Sequence, residues 1–303
     1  MGNKDKVINF LKLGIGWIIL ILLFYYIGIE NAYKTLIGFN FFFLLPILLL
    51  FVAFLATSAF NLKILFDPLK KMTFSKMFKL FCFSWTTGFF VPGRLGDFSL
   101  VYFLKNEGIE VGKGTAIVLL NKLITFLMLS AAAIFSLLVF FEVGQIFNVV
   151  AFLLLGWLAV LFFVFSEFGR GIIKKFILGK YRVLFTGFSS TLQTYIKNYK
   201  HILLLNFCIA GLAWAIQTAI TFLLFLGFSR QVDFMQLFLV IAATSLVSLI
   251  PLTASGIGIR EGVFVFLTNR IGIPASVALN AAAINLVINL SAVFIISFLF
   301  LNK

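Results

Sequence analysis

The sequence predicts an all-α integral membrane protein: six spanning helices, two re-entrant helical hairpins and an inverted-topology internal repeat. Three observations lead there. The 303-residue chain is 62% hydrophobic with a mean hydropathy of +1.15, and its 42 Phe residues are more than a soluble domain could hide. Six apolar segments reach the roughly 20 residues that a bilayer crossing needs. Two further apolar segments run instead into glycine-rich charged motifs, Pro92-Gly93-Arg94-Leu95-Gly96-Asp97 and Ser255-Gly256-Ile257-Gly258-Ile259-Arg260-Glu261.

The elements follow in order. Residues 7–28 form the first expected span. Lys4, Lys6 and Lys12 accompany it as in a secretory signal, but the apolar part is too long and lacks a small-residue cleavage site, so it is read as a retained helix. Residues 39–66 make the second span. The first hairpin enters along 72–91, turns at the first motif and returns along 97–106. Spans at 112–141 and 145–166 come next, then a basic loop over 167–200 whose apolar residues keep a helical spacing. The fifth span is 201–227, the second hairpin is 234–250 with 261–270, and the last span is 276–301. The whole of 1–303 is one polytopic domain, with repeat one at 1–141 and repeat two at 142–303.

Charge placement chooses hairpins over full crossings. If both short segments spanned, the basic loop at 167–200 would fall opposite Lys70, Lys71, Lys76 and Lys79, against the positive-inside tendency. With hairpins, 18 of the 24 basic residues share one face, 3 (Lys34, Arg230, Arg270) take the other, and 3 (Arg94, Lys122, Arg260) lie at membrane depth. Both termini are then cytoplasmic. The formal charge of +14 marks this face and meets anionic headgroups, which argues against nucleic acid as a partner. Asp97 and Glu261 are 164 positions apart; at the same offset Gly108-Ile109 matches Gly272-Ile273, and Asn121 matches Asn285. Inverted repeats with broken helices near the midplane recur in transporters.

Glycine permits unusual backbone angles and Pro92 lacks an amide hydrogen, so Pro92, Gly93, Gly96, Gly256 and Gly258 mark backbone breaks. Unpaired backbone at such a break is tolerable only against protein or water. Asp97 is placed to cap the helix after it. An arginine beside a helix start makes a ready anion site, for which phosphate is the natural guest. Two compatible readings stand for the Arg94–Asp97 and Arg260–Glu261 pairs: each neutralises itself and pins its hairpin, or the acid positions an arginine that holds a ligand. Lys122 either pairs with Asp97 or Glu107 or faces a water-filled cavity. Asn285 and Asn289 share a helix face, to bond between helices or to line a headgroup path. Asn206 and Gln217 are read as interhelical hydrogen bonders. Cys82 and Cys208 lie in apolar segments and His201 is a lone interfacial histidine, so neither metal nor cofactor is expected. No nucleotide loop, His-Glu-x-x-His or Ser-His-Asp set is present, and the chain is not expected to be an enzyme.

The first motif, with Gly108-Ile109 and the Asn121 helix, resembles the first signature of the lysylphosphatidylglycerol synthase transmembrane-region family, also called the flippase-like domain family. The second motif, with Gly272-Ile273-Pro274, resembles the second signature, and the similarity covers essentially the whole chain. The resemblance implies lipid handling: the best-known members are membrane halves of proteins that attach an amino acid to phosphatidylglycerol and move the product between leaflets. Asp97 stands where many relatives carry Glu. The sequence ends at Lys303 without a soluble aminoacyl-transferase domain, so synthase activity is not expected to carry over. The expectation is a translocase of the cytoplasmic membrane for an anionic phospholipid or an isoprenyl-phosphate-linked lipid. Arg94 and Arg260 would hold the phosphate, Asp97 and Glu261 would orient them or take up protons, and Asn121, Lys122 and Asn285 would line the headgroup path. The alternatives are a non-transporting lipid-binding subunit that serves a glycosyl- or aminoacyl-transferase of envelope biosynthesis, and an integral enzyme acting on a lipid head.

Overall fold

The computed structural model describes residues 17–91, 96, 98–140, 144, 150–151, 154–159, 162–163, 166–172, 185–248, 253 and 256–301. Pro92, Gly93, Arg94 and Asp97 lie outside the described residues, as do much of the expected span at 145–166 and residues 173–184 of the basic loop. All regular structure among the described residues is helical.

Helix α1 (Trp17–Ile27) does not continue straight. At Gly28 the chain turns by 86° into α2, Ile29–Ile37. Gly28 has φ +95°, a region that L side chains rarely enter, and its N–H still reaches Phe24 O and Tyr25 O. The break falls where the expected first span ends, and α2 is a helix that the sequence reading did not include. Ile29, Tyr33 and Ile37 are exposed along one side of α2, and Glu30 pairs with Lys34 at 2.6 Å. That pattern suits a helix lying in the membrane interface. Asn280 Nδ2 donates to Ala32 O at 2.8 Å and ties α2 to the last helix.

A 3-10 turn, Phe41–Phe43, leads into α3 (Leu44–Phe66); the Asn40 side chain caps it by accepting from Phe42 N–H. There follow α4 (Phe74–Phe90), α5 (Ser99–Asn106), α6 (Val111–Phe140), the short α7 (Glu167–Ile172) and α8 (Phe188–Asn198). Then come α9 (Lys200–Gly227), α10 (Phe234–Val247), α11 (Ile259–Arg270) and α12 (Ala275–Leu301). Among the described residues, four stretches are long and apolar enough to cross a membrane: Phe41–Phe66, Val111–Val139, Lys200–Gly227 and Ala275–Leu299. The bent α1–α2 pair makes a fifth if counted as one span. The protein is therefore a multi-pass membrane protein. The basic loop expected at 167–200 is in part helix, because Thr191, Leu192 and Tyr195 fall on one face of α8 and bury it.

Two apolar cores lie at opposite ends of α3. At its C-terminal end Leu65, Phe66, Met77, Leu104, Ile117 and Tyr195 pack together. Lysines crowd that end: Lys63 pairs with Asp67 at 2.5 Å, Lys113 pairs with Glu110 at 2.9 Å, and Glu107 takes Lys76 on its carboxylate and Lys70 on its carbonyl oxygen. The start of α4 and the end of α5 thus meet. At the other end Ile47, Phe51, Leu224, Phe225, Leu237 and Phe264 form the second core, where the Phe225 and Phe264 rings stack 6.0 Å apart. Helices α3 and α9 run antiparallel along each other, tied at one end by Asn40 N–H to Gly227 O (2.8 Å) and at the other through Asn61 and Asn206. Helix α6 packs along α10, and α4 lies beside α12.

Two stretches fold alike. Helices α5 and α11 end at Asn106 and Arg270, and α6 and α12 begin at Val111 and Ala275; each pair is 164 apart (270 − 106, 275 − 111). Gly108 and Gly272 take φ +79° and +84°. Behind them Ile109 N–H bonds Leu104 O and Ile273 N–H bonds Thr268 O, both at 3.1 Å. Both helices close with the same Schellman turn.

Candidate functional site

Helix α11 starts behind Gly258, at φ +84°. Glu261 sits in its first turn, where a carboxylate suits the positive end of the helix. Its Oε2 accepts from Gly258 N–H at 2.7 Å. Its Oε1 accepts from Arg260 Nε at 3.0 Å and from Nη2 at 2.7 Å. Glu261 is 1% exposed and Arg260 20%. A charge this deep persists only when paired and hydrogen-bonded; here the pair and the helix start supply both. The Arg260 guanidinium keeps Nη1, which makes no hydrogen bond among the described residues.

Arg260 lines two adjoining cavity lobes, each with polar side chains on its wall. The first, of about 90 Å³, lies between α9, α10, α11 and α12, with Gln217, Thr221, Thr244, Glu261, Asn285 and Asn289 on its wall. The second, of about 150 Å³, lies between α3, α4, α6 and α9, with Asn61, Ser84, Asn121, Lys122 and Thr125 on its wall. Phe54, Trp85, Trp214, Arg260 and Asn289 border both lobes. A single water needs only about 10–15 Å³ of such volume, so each lobe has room for several waters or a phosphate-sized group.

Behind the second lobe three helices are joined by asparagines. Asn206 Nδ2 donates to Asn61 Oδ1 at 2.7 Å and to Asn121 Oδ1 at 3.0 Å, and Asn61 Nδ2 reaches Asn121 Oδ1 at 3.3 Å. Asn206 is 0% exposed. Asn289, by contrast, bonds within its own helix, its Nδ2 donating to Asn285 O at 2.6 Å.

Gly96 and Gly256 press on the residues that precede them in the chain. A Cβ at Gly96 would lie 2.6 Å from Thr87 O and 2.7 Å from Gly88 Cα. Thr87 Oγ1 also donates to Gly96 O at 3.2 Å. At Gly256, φ +78°, a Cβ would lie 2.8 Å from Ser248 Cβ.

Of the residues singled out from sequence, Glu261 and Asn285 line the first lobe, Asn121 and Lys122 the second and Arg260 both, while Arg94 and Asp97 lie outside the described residues. Arg260 and Glu261 do pair, as the pinning reading required, and Arg260 also faces the cavity, as the ligand reading required. Asn206 bonds between helices as expected. Gln217, read the same way, stands on the first lobe's wall instead. Asn61, Trp85 and Trp214 were not picked out; a polar Asn61 inside an apolar helix was the only available signal. Among the described residues no group of three His, Cys, Asp or Glu could hold a metal ion.

No curated protein and no solved structure matches this chain. Its family is nonetheless shown, because the model of one family runs along nearly its whole length. Residues 9–297 match the lysylphosphatidylglycerol synthase TM region, and the chain belongs to that family, a membrane domain related to lipid handling.

Proposed function

We propose that the protein translocates an anionic lipid, a phospholipid or an isoprenyl-phosphate-linked lipid, between the leaflets of the cytoplasmic membrane. One observation carries this reading: Arg260, braced by buried Glu261 at a helix start, faces two adjoining cavity lobes with polar side chains on their walls, inside an apolar body. Asn285, on the same cavity, is ten residues into α12 (285 − 275). At 1.5 Å of rise per residue that is about 15 Å, near the middle of a ~30 Å hydrocarbon layer. A fixed cation at that depth is costly unless it has work to do.

The remaining architecture supports the same reading. Helix α5 has 8 residues and α11 has 12, rising about 12 and 18 Å, too little to cross. The Lys76–Glu107 pair brings the start of α4 and the end of α5 to one face. Together these favour two re-entrant hairpins, six spans in all and an inverted repeat, with the lysine-rich end and both termini cytoplasmic. In this scheme a phosphate sits against Arg260 and the first turn of α11, while Asn121, Lys122 and Asn285 accompany the head. By its motif, Arg94 is the second arginine for the phosphate, with Asp97 to orient it. Three hydrogen bonds on the Glu261 carboxylate support its role in orienting Arg260. The protein performs no chemical step; a separate transferase of envelope-lipid synthesis would supply or use the lipid.

The test is a leaflet assay. Purified protein in liposomes should expose fluorescent phosphatidylglycerol or an isoprenyl phosphate to a reagent confined to the other side, and Arg260→Gln should cut the rate at least tenfold. If every labelled lipid stays in its starting leaflet with the unaltered protein, translocation is wrong, and the lipid-binding subunit and the integral enzyme are the readings left.

A further inference from the structure

The inner cavity backs onto an outer groove across the same two helices. On the inside, Trp85, Gly88 and Phe89 of α4 and Asn289 of α12 border the second lobe. One residue further along each helix the lining changes character. Phe90 of α4 and Leu290, Val293 and Phe294 of α12 border an apolar groove of about 670 Å³ on the outer surface. Phe90 is 50% exposed and Phe294 74%, so this groove faces the lipid.

The matching seam on the other side of the molecule is different. In the repeat proposed above, α4 beside α12 corresponds to α10 beside α6. Helix α10 packs closely along α6. Helices α4 and α12 touch far less. One seam is closed and its counterpart is parted.

We infer that the α4–α12 seam is the lateral portal of the site, and that its groove seats a hydrocarbon chain of the anionic lipid whose head Arg260 holds. The inference rests on the lipid reading of the cavity. An amphiphile needs polar and apolar surfaces in contact. At this seam the polar wall at Asn289 and the apolar wall at Leu290 are consecutive residues, so a head can enter while its chains stay in the bilayer. Interconversion of the parted and closed seams would then turn the cavity from one leaflet to the other.

The experiment is photolabelling in liposomes with phosphatidylglycerol that carries a diazirine on an acyl chain, followed by peptide mapping. Residues 290–297 should be labelled in the unaltered protein, and Arg260→Gln should lower that labelling at least fivefold. Labelling of the lipid face of α3 at Leu45, Leu48 and Val52, all exposed, should not change. Equal labelling of 290–297 with and without Arg260 means that the groove meets only bulk lipid, and overturns the portal. A second arm needs no variant. At a fixed probe fraction, replacing matrix phosphatidylcholine by unlabelled phosphatidylglycerol should deplete the groove signal but not the α3 signal; equal signals before and after also overturn it. The readout is occupancy, not movement. Arg260-dependent labelling without leaflet exchange would leave the portal standing and remove the translocase, and exchange without such labelling would remove the portal alone.

Discussion

Asn121 and Asn285 stand 164 positions apart, ten residues into α6 and α12, yet they do different work. Asn121 accepts hydrogen bonds from Asn61 and Asn206 and so joins α3, α6 and α9. Asn285 interacts within its own helix through Asn289 and stands on the wall of the first lobe. The next turn repeats the theme: Thr125 Oγ1 donates to Asn121 O, and Asn289 Nδ2 to Asn285 O. Both side chains line a lobe of the cavity, but only Asn121 also joins helices. A polar residue inside a membrane helix therefore signals a partner, but not which kind.

The largest effect should come from the charge that both regions surround. Glu261→Ala removes three hydrogen bonds and leaves Arg260 without its counter-charge. Breaking a buried pair in this way costs about 3–5 kcal/mol. Thermal unfolding in detergent should show a marked fall in midpoint, or loss of folded protein altogether. A near-normal midpoint would mean that Arg260 is neutralised from elsewhere and that the pair does not hold the tip.

The asparagines divide next. Asn206→Leu should cost about 1–3 kcal/mol, the usual range when buried hydrogen-bond partners are stranded, and should leave transport per folded molecule within twofold. Asn285→Ala should do the reverse: under about 0.5 kcal/mol in stability, in line with a change that strands no buried partner, but several-fold slower lipid exchange. Unfolding and exchange measured on the same preparations decide the matter. If both variants lose stability and keep their rates, the distinction between joint and lining collapses.

Much of this was legible from sequence, for reasons that differ by residue. The spans expected at 112–141, 201–227 and 276–301 meet α6, α9 and α12 within a residue at each end, since charge and glycine bound each apolar run. The Arg260–Glu261 pair was legible because the partners are neighbours in the chain. The break at Gly28 falls where the expected first span ends; the limb α2 beyond it was not foreseen, because Glu30, Asn31 and Lys34 make that stretch read as a polar loop. Lys122 and Gln217 were open in another way. Their polarity is local, but the cavity they line is made by helices far apart in sequence, and no spacing rule reports it. Helix α8 lies inside a stretch read as a basic loop, where the helical spacing of the apolar residues, noted from the sequence, is the one that buries Leu192 and Tyr195.

Tyr195 of α8 carries the smallest effect and tests whether the lysine-rich end is purely structural. It is 0% exposed and its hydroxyl donates to Leu65 O, pinning α8 to the end of α3. Burial, chiefly, with Tyr199 and Asp67 beside it, holds the phenol above its ordinary range. Tyr195→Phe should therefore cost about 1 kcal/mol, one hydrogen bond, and leave lipid exchange unchanged. The pH dependence has a definite sign. The stability tied to this proton is whole below the unfolded phenol's pKa of about 10 and declines as pH rises past it, because the unfolded chain ionises while the folded one holds its proton. Unfolding midpoints at pH 9 and pH 11 should thus differ less in Tyr195→Phe than in the unaltered protein. A slower exchange rate per folded molecule in that variant would show that this end of the molecule moves with the cavity and is not merely its anchor.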